Sequence, residues 1–474
     1  MRRVVALACL LAFAAAAPAA QARSSASSAP KPSKLERAIL DAVRDAGFDE
    51  VLDGWAAPND APPWYPKIPF TPQVDVAVFD LSPSNRVREA VNVLMSRDYP
   101  QGVLVPIGKN LDSSAVRYRK WDASRWFEQA GKSWSDPYAP GEDVVSGREG
   151  APLEFMIPYP ASVLKVLVAY GVLRLVDDGT LTLETPVTYT RAQGASCYRP
   201  SSDTTTSVRE WMTLMITESS NAATCALIKL LHDTDEIDDL NAYFASVGLP
   251  SLTLENTNAN GGSWSAGRGV HMGGLDTAKL MWLIDGAPGV LWRAPSGRKV
   301  KNAELSDSSR EFFKYLLSEQ GFNEVLSTTN WCGAMLGAGF PDPTRVYPQP
   351  GIPTATPDRF ILDDGTVEVE GVPYGQPVGP CNAAAEVVFS HKTGLVSFAG
   401  ADAGFVHELP GAERRDYVIA VFTNLGNRFT DPVMNTASTL PEGPFGCWTE
   451  RDVCYSESFA KLGASIDRIM QRRP

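Results

Sequence analysis

The chain has 474 residues, with 43 basic against 55 acidic side chains and a formal net charge of −12. That acidic balance argues against nucleic acid as a partner. Beyond the first 22 residues no apolar run is long enough to span a bilayer, because Lys165 and Arg174 interrupt the most apolar stretch, 163–176.

Arg2 and Arg3, the apolar run 4–17 and the small-X-small triplet Ala20-Gln21-Ala22 have the form of a secretory signal cleaved near Ala22. The expectation is a periplasmic or secreted protein. Cys9 falls inside the signal, and six cysteines remain: Cys197, Cys225, Cys332, Cys381, Cys447 and Cys454. An even number in an exported chain argues for disulfides, with about 15 possible pairings. Proximity favours Cys197 with Cys225, Cys332 with Cys381, and Cys447 with Cys454. No Cys-X-X-Cys or His-X-X-X-His spacing accompanies them, so neither a metal nor another cofactor is expected.

Residues 24–32 are only Ser, Ala, Pro and Lys, a flexible leader. Ser33 then caps a helix over 33–51, and the six prolines of 57–72 read as an extended linker. The segment 23–73 is thus expected to precede a single domain, 74–474. Residues 74–81 alternate as a strand. A helical stretch is expected near 87–95, followed by an aromatic-rich segment with Tyr118, Trp121, Trp126, Phe127 and Trp134. From Ser162 onward Leu164, Leu167, Val168, Gly171, Val172 and Leu175 follow helical spacing until Asp178-Gly179. Further helices are expected within 208–231, over 275–285 and over 308–317. Residues 341–380 hold nine prolines. Three hairpin-connected strands follow at 385–390, 399–406 and 417–424, and a closing helix at 459–471. Strands at both ends with helices between them predict an α+β fold, an antiparallel sheet flanked by helices with a helical lobe.

Three motifs carry the chemistry: Ser162-Val163-Leu164-Lys165, Ser219-Ser220-Asn221 and Lys392-Thr393-Gly394. Ser162 opens its helix, where free amides and the positive end of the dipole favour an anion. Lys165 lies one turn on, within reach of the hydroxyl. Neutral, it is a base, and burial plus a second cation such as Lys392 favours that form. Ser219 and Asn221 can be aimed by one loop into one cleft, and Lys392 with Thr393 offers an ammonium and a hydroxyl to a carboxylate. Thr217, Ser219 and Ser220 suit helix capping equally. His232, His271, His391 and His407 are widely spaced and no Gly-X-Ser-X-Gly elbow occurs, so a Ser-His-Asp triad is not indicated.

With these motifs in this order the chain resembles the penicillin-recognising serine hydrolases, the superfamily of class A β-lactamases and D-alanyl-D-alanine peptidases, and most closely the class A β-lactamases. The resemblance implies Ser162 as nucleophile, Lys165 and Ser219 as proton carriers, Asn221 as a hold on the substrate amide, and Lys392, Thr393 and Gly394 as the carboxylate clamp. It implies an oxyanion hole from the amides of Ser162 and Leu395. Relative to that family, 85–150 and 341–380 are insertions. Ser220 stands where aspartate is commoner, and Leu395 and Val396 replace small residues. The family's Glu-Pro-Glu-Leu-Asn segment is missing, which leaves Glu255, in Leu252-Thr253-Leu254-Glu255-Asn256-Thr257-Asn258, as the nearby deacylation base. The implied function is an exported monomeric serine hydrolase with a Ser162 acyl-enzyme, acting as a class A-like β-lactamase on a small β-lactam. The alternatives are a D,D-peptidase acting on a D-Ala-D-Ala-like peptide and a penicillin-binding sensor without turnover.

Overall fold

Val74, Val76 and Val78 alternate with Ala77, Phe79 and Leu81 along strand β1 (Val74–Leu81), which gives the strand two apolar faces, both buried. A computed structural model describes residues 31–54, 56–57, 66–120, 143–198, 202–265, 269–321, 326–328, 351–369, 372–374, 377–429 and 455–473. The signal, the early leader, Trp121, Trp126, Phe127 and Trp134, and Cys332, Cys447 and Cys454 lie outside these residues.

Strand β1 sits inside a six-stranded antiparallel sheet with β2 (Val87–Ser96), β3 (Tyr99–Leu104), β4 (Val387–Val396), β5 (Ala399–Glu408) and β6 (Tyr417–Thr423), in the order β4-β5-β6-β1-β2-β3. Val78 pairs with Ile419 on one side and Val91 on the other. The expected helix near 87–95 is therefore a strand. Val87, Val91 and Met95 mimic a helical stripe, but Val91, Val93 and Met95 fall on one buried face at period two, and pairing with β1 decides the matter. Residues 87–104, assigned by sequence to an insertion, are thus two strands of the central sheet.

On one face of the sheet Val76, Val78, Val93, Phe389, Ile419 and Val421 pack against helices α1 (Lys34–Asp45) and α8 (Tyr455–Gln471). Helix α1 touches α8, β2 and β3 and contributes Leu35, Ile39 and Val43 to the core. It accordingly belongs to the compact unit Lys34–Pro474 and is no detached prelude to it.

The opposite face carries the helical lobe: α2 (Lys165–Asp177), α3 (Val208–Thr217), α4 (Asn221–Asp233), α5 (Glu236–Ser246), α6 (Gly274–Asp285) and α7 (Asp307–Ser318). Helix α6 is buried along its whole length and crosses β1, β5 and β6, whose facing Ala401, Ala403 and Ala420 admit a close backbone approach. Ser207 and Ser306 start α3 and α7 by accepting from the amides of Glu210 and Ser309. The Cys197–Cys225 disulfide ties the loop ahead of α3 to α4, as proximity suggested, and Cys381 is also disulfide-bonded. Among the described residues no helix is long and apolar enough to cross a membrane.

Candidate active site

Two elements meet where the lobe touches the outer edge of the sheet. A 3-10 turn, Ala161–Leu164, carries Ser162 and runs directly into α2, so Lys165 begins the α-helix one turn beyond the hydroxyl. Ala161 enters this turn with a φ of 46°, in the left-handed region. Lys165 is fully buried, and its Nζ lies 2.8 Å from Ser162 Oγ, 2.6 Å from the Ser219 carbonyl, 2.9 Å from Ser219 Oγ and 2.9 Å from Asn221 Oδ1.

The loop between α3 and α4 divides the work of the second motif. Ser220 caps α4 by accepting from the Ala223 amide at 3.3 Å, while Ser219, held at a φ of 60°, and Asn221 turn their oxygens to Lys165. Capping and the contacts to Lys165 thus fall on adjacent residues.

Lys392 and Thr393 lie inside β4, not at its end, because the strand continues to Val396. Lys392 is buried and donates to Ser219 Oγ at 3.2 Å, Gln320 Oε1 at 2.6 Å and the Thr393 carbonyl at 3.0 Å. The Thr393 amide donates off the sheet to Gln320 Oε1 at 3.4 Å. Backbone orientation repeats every second residue, so the Leu395 amide faces the same outer edge. Gly394 completes the junction. A Cβ there would meet Pro160 O at 2.5 Å and Ser162 N at 2.8 Å, a gap only glycine permits.

The structure therefore gathers Ser162, Lys165, Ser219, Asn221, Lys392, Thr393 and Gly394 at one place, with Leu395 next in the strand. It does not link Glu255 to them. That carboxylate follows the short strand Thr253–Leu254, is 43% exposed, and pairs with Lys120 at 3.3 Å; among the described residues no hydrogen bond joins it to Ser162 or Lys165. His391 is engaged elsewhere: it stacks on Phe389 with centroids 4.0 Å apart and its Nδ1 meets Asp402 Oδ1 at 2.8 Å. His271 accompanies the Glu255 loop, where burial and then the charge of Lys120 push its pKa down to about 3, so it stays neutral.

Two features of the site carry no motif in the sequence. One is Gln320, just after α7, which meets Lys392 and the Thr393 amide. The other is a run of rings beginning three residues before Ser162: Tyr159 accepts from Trp264 Nε1 at 2.7 Å and packs 6.1 Å from Phe398, and Trp264 lies 5.9 Å from Tyr198. Burial holds the Tyr159 hydroxyl in its neutral form. The adjacency of Tyr159 to Ser162 was a usable signal; for Gln320 there was none.

Over residues 157–287 the sequence matches the β-lactamase enzyme family. No curated protein matches it. Similar solved structures include a β-lactamase from Sphaerobacter thermophilus DSM 20745, at 16% identity over 67% of this chain and 84% of that one, with a TM-score of 0.38. A representative of class A β-lactamase from Bacteroides cellulosilyticus DSM 14838 is 14% identical over 92% and 100% of the two chains, with a TM-score of 0.40. The protein PBP-A is 19% identical over 66% and 82%, with a TM-score of 0.38.

Proposed function

We propose that this chain, which matches the β-lactamase enzyme family over residues 157–287, is a penicillin-recognising serine hydrolase that hydrolyses the amide of β-lactams through an acyl-enzyme on Ser162. The observation that carries the reading is the position of Lys165 Nζ, within 2.9 Å of four oxygens including Ser162 Oγ. Nζ has three hydrogen-bonding directions whether charged or neutral, so the four contacts share one of them, and in the neutral amine the lone pair can accept the Ser162 hydroxyl proton. Full burial and the second ammonium at Ser219 favour the neutral amine.

In this mechanism Lys165 takes the proton of Ser162 as Oγ attacks the carbonyl carbon. The oxyanion forms between the amides of Ser162 and Leu395, whose approach Gly394 makes possible. Ser219 Oγ accepts from both lysines, which leaves its own proton for the departing nitrogen; Lys165 replaces that proton with the one it took from Ser162. Asn221, its Oδ1 engaged by Lys165, offers its NH2 to the substrate amide. Lys392 and Thr393 receive the substrate carboxylate. Water then releases the acid from Ser162, with Lys165 as the base.

The ion pair between Glu255 and Lys120 favours a second reading, a D,D-peptidase in which the same adduct forms and β-lactams leave slowly. Mass spectrometry of the purified protein with a penicillin separates the cases. Ser162→Ala should lose the adduct, with acylation down by roughly four decades, about 5 kcal/mol. An adduct of unchanged yield on that variant removes both readings. A wild-type adduct that clears rapidly supports the β-lactamase, and one that persists supports the peptidase.

A further inference from the structure

Gln320 is 4% exposed and stands at the junction of the second and third motifs. Its Oε1 accepts from Lys392 Nζ at 2.6 Å and from the Thr393 amide at 3.4 Å, while its Nε2 donates to the Thr217 carbonyl at 3.0 Å. The donors on one side and the acceptor on the other fix which way the amide is turned. Thr217 O also accepts from Gly321 N at 2.7 Å, so the loop holding Gln320 is anchored to the end of α3. Two residues beyond Thr217 stands Ser219, whose Oγ accepts from Lys392 at 3.2 Å. Lys392, Gln320, Thr217 and Ser219 form a closed circuit that joins edge strand to helical lobe.

Resting on the hydrolase reading above, we infer that Gln320 is a positioning and specificity residue: it fixes the Lys392 ammonium beside Ser219 and, being uncharged, adds no counter-ion of its own to compete with the carboxylate of the substrate. An amide oxygen supplies a strong acceptor without cancelling the cation. A carboxylate at the same place would form a buried ion pair with Lys392 and compete with the incoming anion. The residue thereby selects acyl donors that carry a carboxylate over otherwise identical neutral ones. Its backbone partner at Thr217 explains why the selection is coupled to the position of Ser219.

The test compares acylation rate constants for a penicillin and its methyl ester on the wild-type protein, Gln320→Glu and Gln320→Met. The wild type should prefer the acid. In Gln320→Glu that preference should fall at least about tenfold, the acid losing more rate than the ester, as expected when one charge partner is neutralised. Gln320→Met removes the acceptor without adding charge and covers the case of a glutamate variant that does not fold; there too the acid should lose more rate than the ester. Equal losses for acid and ester would overturn the inference and leave Gln320 a packing residue, as would an unchanged preference. A wild-type protein that forms an adduct with neither compound would instead remove the hydrolase reading and the inference with it.

Discussion

Gly394 lies so close to Ser162 that a single added carbon would sit 2.8 Å from the Ser162 amide nitrogen. The contact joins the edge strand of the sheet to the turn that opens α2, so the third motif braces the turn that carries Ser162.

Gly394→Ala should separate these two elements, because the atoms its Cβ meets are backbone and cannot rotate away. The expected strain is about 1 to 3 kcal/mol, seen as a lower melting temperature. Acylation should fall by about a hundredfold, since misplacement by an ångström is enough. Stopped-flow acylation alongside thermal melts measures both. A variant that melts lower but acylates at the wild-type rate would mean that the Ser162 and Leu395 amides do not cradle the oxyanion.

The Glu255 carboxylate is engaged by Lys120. Glu255→Gln should leave both acylation and release within about threefold of wild type, since a lost general base costs about a hundredfold or more. Pre-steady-state kinetics reads this directly. A burst followed by a stalled adduct would restore Glu255 as the base and remove Lys165 from that step.

The Cys197–Cys225 bond spans 28 residues and ends one turn inside the helix that Asn221 begins. Cys197→Ser with Cys225→Ser should cost about 3 to 4 kcal/mol in the chain-entropy treatment. Urea unfolding without a reductant checks it: the double variant should lie below the wild type by that amount, while the disulfide of Cys381 is common to both.

A pH dependence should come from His407, on β5. Burial opposes its charge, but Asp285 at 2.9 Å from Nε2 and Asp416 at 2.9 Å from Nδ1 outweigh burial and raise its pKa to about 10. Arg414 and Lys314 also face these carboxylates, at 3.4 Å from Asp416 and 3.9 Å from Asp285. A group raised on folding stabilises most below its unfolded value, near 6.5, and the contribution fades as pH climbs through the folded value. Stability should therefore drop between about pH 6.5 and 10, and His407→Gln should flatten that part of the profile. The side chain is 35% exposed, so solvent screening keeps the effect small. An identical slope in the variant would assign it to other groups.

The site was more legible in the sequence than the fold around it. Ser162, Lys165, Ser219, Asn221 and Lys392 could be found because their chemistry demands fixed residue types at short spacings. The strands β1, β4, β5 and β6 were visible through alternation. Strand β2 was not, since Val87, Val91 and Met95 satisfy both periods and only pairing with β1 chooses between them. Helix α1 was visible as a helix, but its docking on α8 joins residues far apart in sequence and leaves no local trace. Gln320 was hidden for the same reason: its role depends on Lys392, Thr393 and Thr217, none of them its neighbours along the chain.

The sheet order also carries a lesson about biosynthesis. Strand β1 leaves the ribosome long before one of its two partners, β6, which follows only after the helical lobe. Until then the nascent chain can form the hairpin of β1 with β2, but the strand that bears Lys392 has no sheet to join. Translation that stops short of β4 releases a polypeptide with Ser162 and Lys165 in place in the sequence and nothing to assemble them, so premature termination leaves no partly active hydrolase behind.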